Sequence, residues 1–196
     1  MLISRNVKLG PPLRLSSWRK VAIGTWKTVG DPSVYGVVEV DAGPALAYLE
    51  ELARETGVKL TLTHFMGAAI GRTFARHRSI NCILRWARLY PRKSVDVFFQ
   101  VASDTKGEDL SGMVVRDADK KSVVEIAREM GAKVKTIKGG VDPDYARMKG
   151  LMGILPGWLV GWVMTLSGHF LYAFNLWSPL LGTPKDSFGS IMITNI

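Results

Sequence analysis

The period of the hydrophobic pattern changes along the chain and predicts strands alternating with helices. Four segments carry either the alternation of apolar and polar residues or the short apolar run that is typical of β-strands. They span residues 33–41 (SVYGVVEVD), 95–104 (VDVFFQVASD), 111–116 (SGMVVR) and 188–195 (FGSIMITN). The first places Val34, Val38 and Val40 on one face. The second is apolar on both faces, so we expect it to be the central strand of a sheet.

Three further segments repeat apolar residues every three or four positions, which predicts amphipathic helices. The first begins at Pro44 and ends before Gly57, a suitable C-terminal cap. The second spans residues 61–77, and the third is capped by Asp119 and ends at Gly131. The expected inward-facing residues are Leu46, Leu49, Leu52 and Ala53 in the first helix, Leu62, Phe65, Met66, Ala69, Ile70 and Phe74 in the second, and Val123, Val124, Ile126, Ala127 and Met130 in the third. Helices mixed with apolar strands favour a layered α/β or α+β fold in a single domain.

The composition is that of an ordinary globular protein with a basic surface. Apolar residues make up 47% and charged residues 22% of the 196 residues, and the formal net charge is +9. The basic residues are scattered, which favours a solvated surface first and a phosphate-bearing ligand second, and disfavours a nucleic-acid partner. Cys82 is the only cysteine, so no internal disulfide can form. Because MLISRNVKLGPP lacks signal-peptide features, we expect a cytoplasmic protein, with membrane association as the alternative.

Catalytic motifs of the common enzyme classes do not occur in the sequence. It contains no GxGxxG, phosphate-loop, GxSxG or HExxH motif, and the spacing of its three histidines predicts no metal site. His64 lies near the start of the second helix, where a structural role is favoured over a catalytic one. His169 lies in an apolar segment, where a local hydrogen bond is favoured over a role as a base. Cys82 has no activating partner placed by a motif, so a small buried residue is favoured over a nucleophile.

Four segments, taken in order, resemble one known family. RLSSWRKVAIG is followed by KLTLTHFMGAAIGRTFARHRSIN, which ends in a turn containing Asn81. VDVFFQVASDTKGEDLSGMVVRDADKKSVVEIAREM comes next, and GSIMITNI comes last. Together they resemble the catalytic domain of the 2-oxoacid dehydrogenase acyltransferases, within the chloramphenicol acetyltransferase-like superfamily. The resemblance covers residues 13–130 and the end of the chain.

The resemblance implies a fold, a reaction and one candidate site. The fold is a mixed sheet flanked by helices, assembled as a homotrimer. The reaction moves an acyl group between coenzyme A and a thiol or another acceptor, with a histidine from an HxxxDG motif as the base. A hydroxyl from the facing subunit would donate a hydrogen bond to the oxyanion, and this hydroxyl corresponds to Thr194, next to Asn195. An ordinary strand residue is the alternative interpretation of Thr194.

The catalytic equipment implied by the resemblance is incomplete in this sequence. No HxxxDG motif occurs, so the general-base histidine is absent, and we expect a C-terminally truncated fragment that is inactive alone. No lipoyl domain precedes the matching region, which implies a lipoyl-bearing partner protein or another acceptor. The alternative function is a non-catalytic assembly or membrane-associated scaffold of the same fold.

An uncharged run at residues 150–184 interrupts the resemblance. It contains no Asp, Glu, Lys or Arg, and we expect it to be an apolar insertion within a single domain of residues 1–196. It is long enough to cross a hydrocarbon layer of about 30 Å, although its proline and glycines argue against a span. Three interpretations stay open: a helical hairpin that covers an apolar subunit surface, contact with a membrane, or a lid over the substrate.

Overall fold

The computed structural model describes residues 3–14, 34–102, 110–138, 157–179 and 184–194. The helices in these residues are α1 (Gly43–Thr56), α2 (Leu62–Arg76), α3 (Val123–Lys138) and α4 (Gly157–Gly168). The strands are β1 (Ser4–Arg5), β2 (Cys82–Arg85), β3 (Arg88–Pro91), β4 (Val97–Ala102), β5 (Leu110–Val115), β6 (Leu176–Trp177) and β7 (Ile191–Ile193). A 3-10 turn at Ala118–Lys120 precedes α3, and a π-helical turn at His169–Ala173 follows α4.

The central element is β4, which lies between β5 and β7 in a three-stranded sheet. β5 pairs with β4 antiparallel, with Val97 opposite Val115, whereas β7 pairs with β4 parallel, with Val97 opposite Ile191. Val97, Phe99 and Val115 are fully buried. The central position predicted for segment 95–104 is therefore confirmed in its described part, and the mixed sheet agrees with the expected fold class.

Two helices cover the face of this sheet that carries Phe99. Helix α3 contributes Ile126, which is fully buried in the same cluster. Helix α2 approaches so closely that a Cβ atom at Gly67 would lie 2.5 Å from the ring of Phe99. A Cβ atom at Gly71 would lie 2.8 Å from the backbone of Ala118. Glycine at these two positions therefore sets the distance between α2 and the elements beneath it.

The ends of α1 and the start of α2 agree closely with the sequence prediction. Gly57 has φ 65° and its N–H donates to the carbonyl of Ala53 at 2.9 Å, which closes α1 with a left-handed cap. α2 begins after Thr61, whose backbone N–H donates to Nδ1 of His64 at 3.0 Å. His64 thus takes the position that Glu or Gln occupies in a capping box.

Both predicted ends of α3 are wrong. Asp119 lies in the 3-10 turn, and the helix is capped instead by Ser122, whose N–H donates to Oε2 of Glu125 at 2.7 Å while the N–H of Glu125 donates to Ser122 Oγ at 3.2 Å. The N–H and the hydroxyl of Ser122 both donate to Oε2 of Glu125 and lower the pKa of that carboxyl. Gly131 does not end the helix, which continues to its last residue seven positions later. The reason is that Val134 keeps the apolar period and packs against the core.

The strand predicted at 33–41 is also wrong, since none of residues 34–41 belongs to a strand. Val34, Val38 and Val40 are 94%, 83% and 78% exposed. The physical reason is that strand propensity acts through cross-strand neighbours, and no described strand pairs with this segment. Some residues expected to face inward are exposed or only half-buried instead: Leu46 in α1, Leu62 and Met66 in α2, and Val124 in α3.

Two parts of the fold were not predicted by the hydrophobic pattern. β2 and β3 form a hairpin whose turn residues Trp86 and Ala87 have φ 50° and 57°, as a type I′ turn requires. The uncharged run, for which a helical hairpin was one of three interpretations, supplies α4, the π-helical turn and β6 in its described residues, and β6 pairs antiparallel with β1. Among the residues described, no helix combines the length and the apolar character needed to cross a membrane.

Candidate active site

Thr194 directly follows β7, an edge strand of the three-stranded sheet. Ile191 and Ile193 pack against the core, whereas Met192 and Thr194 are exposed. Thr194 therefore lies on the face of the sheet opposite Ile191 and Ile193, as the alternation of the segment predicts. β7 is shorter than the predicted strand at 188–195, and Asn195 lies outside the described residues.

The turn before β7 is anchored to the start of β4. The N–H of Ser190 donates to the carbonyl of Asp96 at 2.6 Å, and the N–H of Asp96 donates to Ser190 Oγ at 3.3 Å. Gly189 has φ 63° and leaves no room for a Cβ atom beside the Asp96 carbonyl. Only glycine fits this position, and the close approach sets where β7 begins.

The carboxylate of Asp96 is buried and fully hydrogen-bonded. Oδ2 accepts from Arg116 Nη1 at 3.0 Å and from Ser94 Oγ at 3.1 Å, and Oδ1 accepts from the N–H of Asp117 at 2.9 Å. Because a buried carboxylate is costly unless it is paired, these contacts explain why Asp96 is tolerated beside the central strand.

A second buried carboxylate, Asp186, binds Arg92 through two parallel hydrogen bonds. Arg92 Nη2 donates to Oδ1 at 3.0 Å, and Nη1 donates to Oδ2. The two side chains are only 7% and 6% exposed. Arg116 lies between the two carboxylates, 3.6 Å from Asp186 Oδ2, so that Arg92, Asp186, Arg116 and Asp96 form one charge-balanced group. We call these four residues the ionic network.

Two buried asparagines extend the ionic network to the N-terminal segment and to the uncharged run. The N–H of Asp186 donates to Oδ1 of Asn6 at 2.7 Å, and Nδ2 of Asn6 donates to the carbonyl of Leu171 at 3.2 Å. Asn175 exchanges two hydrogen bonds with the backbone of Val7, at 2.7 and 3.0 Å. The turn that leads into β7 is therefore held by three separate parts of the chain.

Sequence reasoning missed the ionic network because its members are far apart and belong to no motif. One signal was present: Asp96 interrupts the apolar segment VDVFFQVA, and a charged residue in such a run is rarely buried without a partner. The partners could not be named, since Arg116 and Asp186 reach it only through the pairing of three strands.

Two of the three histidines, His64 and His169, make local hydrogen bonds. The partly buried ring of His64 caps α2 through Nδ1, and burial lowers its pKa. His169 is exposed, and its Nδ1 donates to the carbonyl of Thr165 at 2.8 Å, the local hydrogen bond that the sequence favoured. Tyr172 has a raised pKa, because its ring is partly buried and Asp186 is near. Cys82 is half-buried, with Sγ 3.7 Å from the carbonyl of Arg78.

A small cavity of about 30 Å³ lies beside the network, lined in part by Asn81, Arg92 and Asp119. It is far below the roughly 300–1,000 Å³ of a typical cofactor pocket. Within the described ranges, no group of three or more His, Cys, Asp or Glu side chains is arranged to hold a metal ion. The residue that follows β7, Thr194, offers one hydroxyl donor, and the contacts of Gly189 and Ser190 with Asp96 determine where that strand begins.

Comparison with known proteins identifies related families and structures. Residues 17–141 match the family described as 2-oxoacid dehydrogenases acyltransferase (catalytic domain). The fold is similar to that of a probable dihydrolipoamide acetyltransferase from Listeria monocytogenes, at 22% identity and TM-score 0.51 over 67% of this chain and 58% of that chain. It is also similar to the cubic core of the pyruvate dehydrogenase multienzyme complex, at 21% identity and TM-score 0.50 over 67% of this chain and 61% of that chain.

These matches have clear limits in extent. The chain spans less than two thirds of the length of either structure. The family match includes α1, α2, the hairpin, β4, β5 and the whole of α3, but it stops before the uncharged run and β7. No curated protein sequence matches the chain significantly.

Proposed function

Because the chain belongs to the family of 2-oxoacid dehydrogenase acyltransferase catalytic domains, we propose that it forms the framework of a coenzyme A-dependent acyltransferase. The reaction would move an acyl group between coenzyme A and a thiol or another acceptor. The observation that carries the proposal is the exposed residue Thr194 and its hydroxyl. Thr194 directly follows β7, which pairs parallel with the central strand β4.

Thr194 would act as the oxyanion donor. A thiolate attacks the carbonyl carbon of a thioester, a new C–S bond forms, and negative charge develops on the carbonyl oxygen. The hydroxyl donates a hydrogen bond to that oxygen, and one such donor contributes about 3 kcal/mol to the transition state. The oxyanion then collapses, the original C–S bond breaks, and the departing thiolate takes the proton that the base removed from the attacking thiol. Asn195, the next residue, is the second candidate at this site.

The base and the assembly are the other two elements of the proposal. No HxxxDG motif occurs in the 196 residues, and the contacts of His64 and His169 commit one ring nitrogen of each to the backbone. We therefore propose that the chain alone does not catalyse acyl transfer. A homotrimer would place Thr194 at a subunit boundary, facing a thioester bound by its neighbour, and a lipoyl-bearing protein is the proposed acceptor.

Coenzyme A release from several acyl-coenzyme A donors tests the proposal. The 196-residue chain should show no turnover above the rate without protein. In a form that includes an HxxxDG histidine, Thr194→Val should lower kcat by about 10²-fold with little change in KM, because valine keeps the shape of threonine and removes only the hydroxyl. Thr194→Ser is the matched control and should retain most of the activity. Wild-type turnover by Thr194→Val would show that Thr194 is only a strand residue.

A non-catalytic scaffold of the same fold is the second candidate function. It is favoured by the missing HxxxDG motif, since none of the three histidines occupies one. Binding of acyl-coenzyme A, measured by calorimetry on the 196-residue chain, separates the two candidates. An enzyme framework should bind the thioester even without its base, whereas a scaffold should not.

A further inference from the structure

An exposed pair of aromatic rings stands at the tip of the hairpin formed by β2 and β3. Trp86 and Phe174 pack edge to face with 5.7 Å between ring centroids, yet they remain 65% and 55% exposed. Trp86 also has φ 50° in the type I′ turn, where asparagine or glycine is normally preferred. A bulky residue in a left-handed turn is strained, and such strain is commonly kept for a function.

Helix α4 continues this apolar surface. Its sequence GWLVGWVMTLSG has no charged residue, and Trp162 and Leu166, one turn apart, are 72% and 74% exposed. The same side leads through His169 to Phe174, because the N–H of Phe174 donates to the carbonyl of His169 at 3.0 Å. A helix that is apolar all round is normally covered by protein or lipid.

The hairpin and the end of this helical segment are joined by Arg85. Its Nε and Nη2 donate to the carbonyl of Ala173 at 3.0 and 2.9 Å, one residue before Phe174. Arg88 lies directly opposite Arg85 in the hairpin ladder and is exposed. Residues opposite each other in a ladder share a face, so Arg88 lies on the same face of the hairpin as Arg85, two residues after Trp86. We call Trp86, Arg88, Trp162, Leu166 and Phe174 the aromatic surface.

The charged residues of the hairpin that carries Trp86 are all basic. The hairpin at residues 82–91 carries Arg85 and Arg88 and no Asp or Glu, and residues 150–184 carry no charge at all. A twofold contact between two copies of this chain would bring the same arginines together, which is electrostatically unfavourable. Tryptophan beside arginine on an uncharged apolar face suits the headgroup level of an anionic bilayer.

We propose that the aromatic surface docks the protein on an anionic lipid bilayer. Trp86, Trp162 and Leu166 enter the boundary between headgroups and acyl chains, while Arg88 pairs with lipid phosphates. The helix lies along the bilayer surface and does not cross it. This inference is independent of the acyl-transfer proposal, because it uses none of the residues at the end of β7.

Co-sedimentation with vesicles tests the docking surface. The 196-residue chain should sediment with vesicles of equal parts phosphatidylcholine and phosphatidylglycerol, should sediment much less with phosphatidylcholine alone, and should be released by high salt. Trp86→Asn should weaken binding roughly tenfold by removing buried apolar area. The asparagine suits the left-handed turn, so the variant should fold at least as well as the wild type. Arg88→Gln should weaken binding about fivefold, the effect of one basic residue near a charged membrane.

Two exposed residues on other elements provide matched controls. Tyr35→Ser removes an aromatic ring from the segment at 34–41, and Arg128→Gln removes an exposed charge from α3, so neither should change vesicle binding. Equal binding by the Trp86→Asn variant and the wild type would overturn the proposal, as would failure to bind anionic vesicles. A wild-type oligomer that Trp86→Asn converts to monomers in light scattering, without vesicle binding, would overturn it in favour of a contact between copies of the chain.

Discussion

Replacing Asp186 with asparagine measures what the ionic network contributes to the fold. The substitution keeps the size of the side chain, and asparagine tolerates the left-handed backbone at this position (φ 46°), so the lost charge is the main change. Arg92 loses its bidentate partner while remaining buried. Arg116 keeps Asp96 at 3.0 Å and loses only the longer contact of 3.6 Å.

We expect Asp186→Asn to lower the free energy of unfolding by about 3 kcal/mol or more, because removing one partner of a buried ion pair costs about 3–5 kcal/mol. Asp117→Asn is the matched control. Asp117 also has a left-handed backbone (φ 49°) and pairs with a lysine, Lys120, at 2.8 Å, but that pair is exposed to solvent. Exposed pairs are screened by water and salt, so the control should change the unfolding free energy much less.

Urea unfolding is monitored by circular dichroism at fixed pH and ionic strength. The shifts in transition midpoint give the change in unfolding free energy for each variant, provided that the variants and the wild type share the same dependence of free energy on urea concentration. Adding Arg92→Met to Asp186→Asn should recover part of the loss, because no unpaired buried charge then remains. If Asp186→Asn and Asp117→Asn unfold at the same urea concentration, the buried pair contributes nothing and the reasoning about the ionic network is wrong.

Two further predictions concern the helices. His64 Nδ1 accepts a hydrogen bond from the Thr61 N–H only when that nitrogen is unprotonated, and burial lowers the pKa of His64. The stability that this hydrogen bond contributes is therefore complete above the unfolded-state pKa of 6.5. It is lost as the pH falls through the lower folded-state pKa. His64→Gln keeps an acceptor that does not titrate, so the urea midpoint should lose this part of its acid dependence, and an unchanged pH profile would refute the role. Gly131 lies inside α3, with nothing within 4 Å of an added Cβ atom. Gly131→Ala should raise the free energy of unfolding by about 0.5–1 kcal/mol, and a lower urea midpoint would show that the helix needs a glycine there.

The parts of the fold that could be predicted are those that short-range rules decide. α1 ends at Gly57 because a left-handed cap is available to glycine within one turn. β4 is central because a segment that is apolar on both faces needs cover on both sides. The family resemblance extended these local rules to an order of elements, and the match at residues 17–141 confirms its central part.

The wrong predictions arose where tertiary contacts outweigh local preference. Asp119 is a good cap by residue type, but the chain needs a 3-10 turn there because Ala118 packs beneath Gly71 of α2. Residues 34–41 have strand composition, yet composition does not supply a neighbouring strand. The turn at Trp86 and Ala87 contradicts ordinary turn preferences, so no residue-based rule could place a hairpin there.

The face on which Thr194 lies depends on contacts that are distant in sequence. β7 has only three residues, and a shift of its register by one residue would turn Thr194 toward the core and an isoleucine outward. So short a strand cannot specify its own register through ladder bonds alone. The close fit of Gly189 to Asp96 and the two bonds between Ser190 and Asp96 supply the missing constraint. Asp96 is held in turn by Arg116, so the position of a candidate catalytic hydroxyl depends on a buried carboxylate and its arginine partner, which no motif around Thr194 reveals.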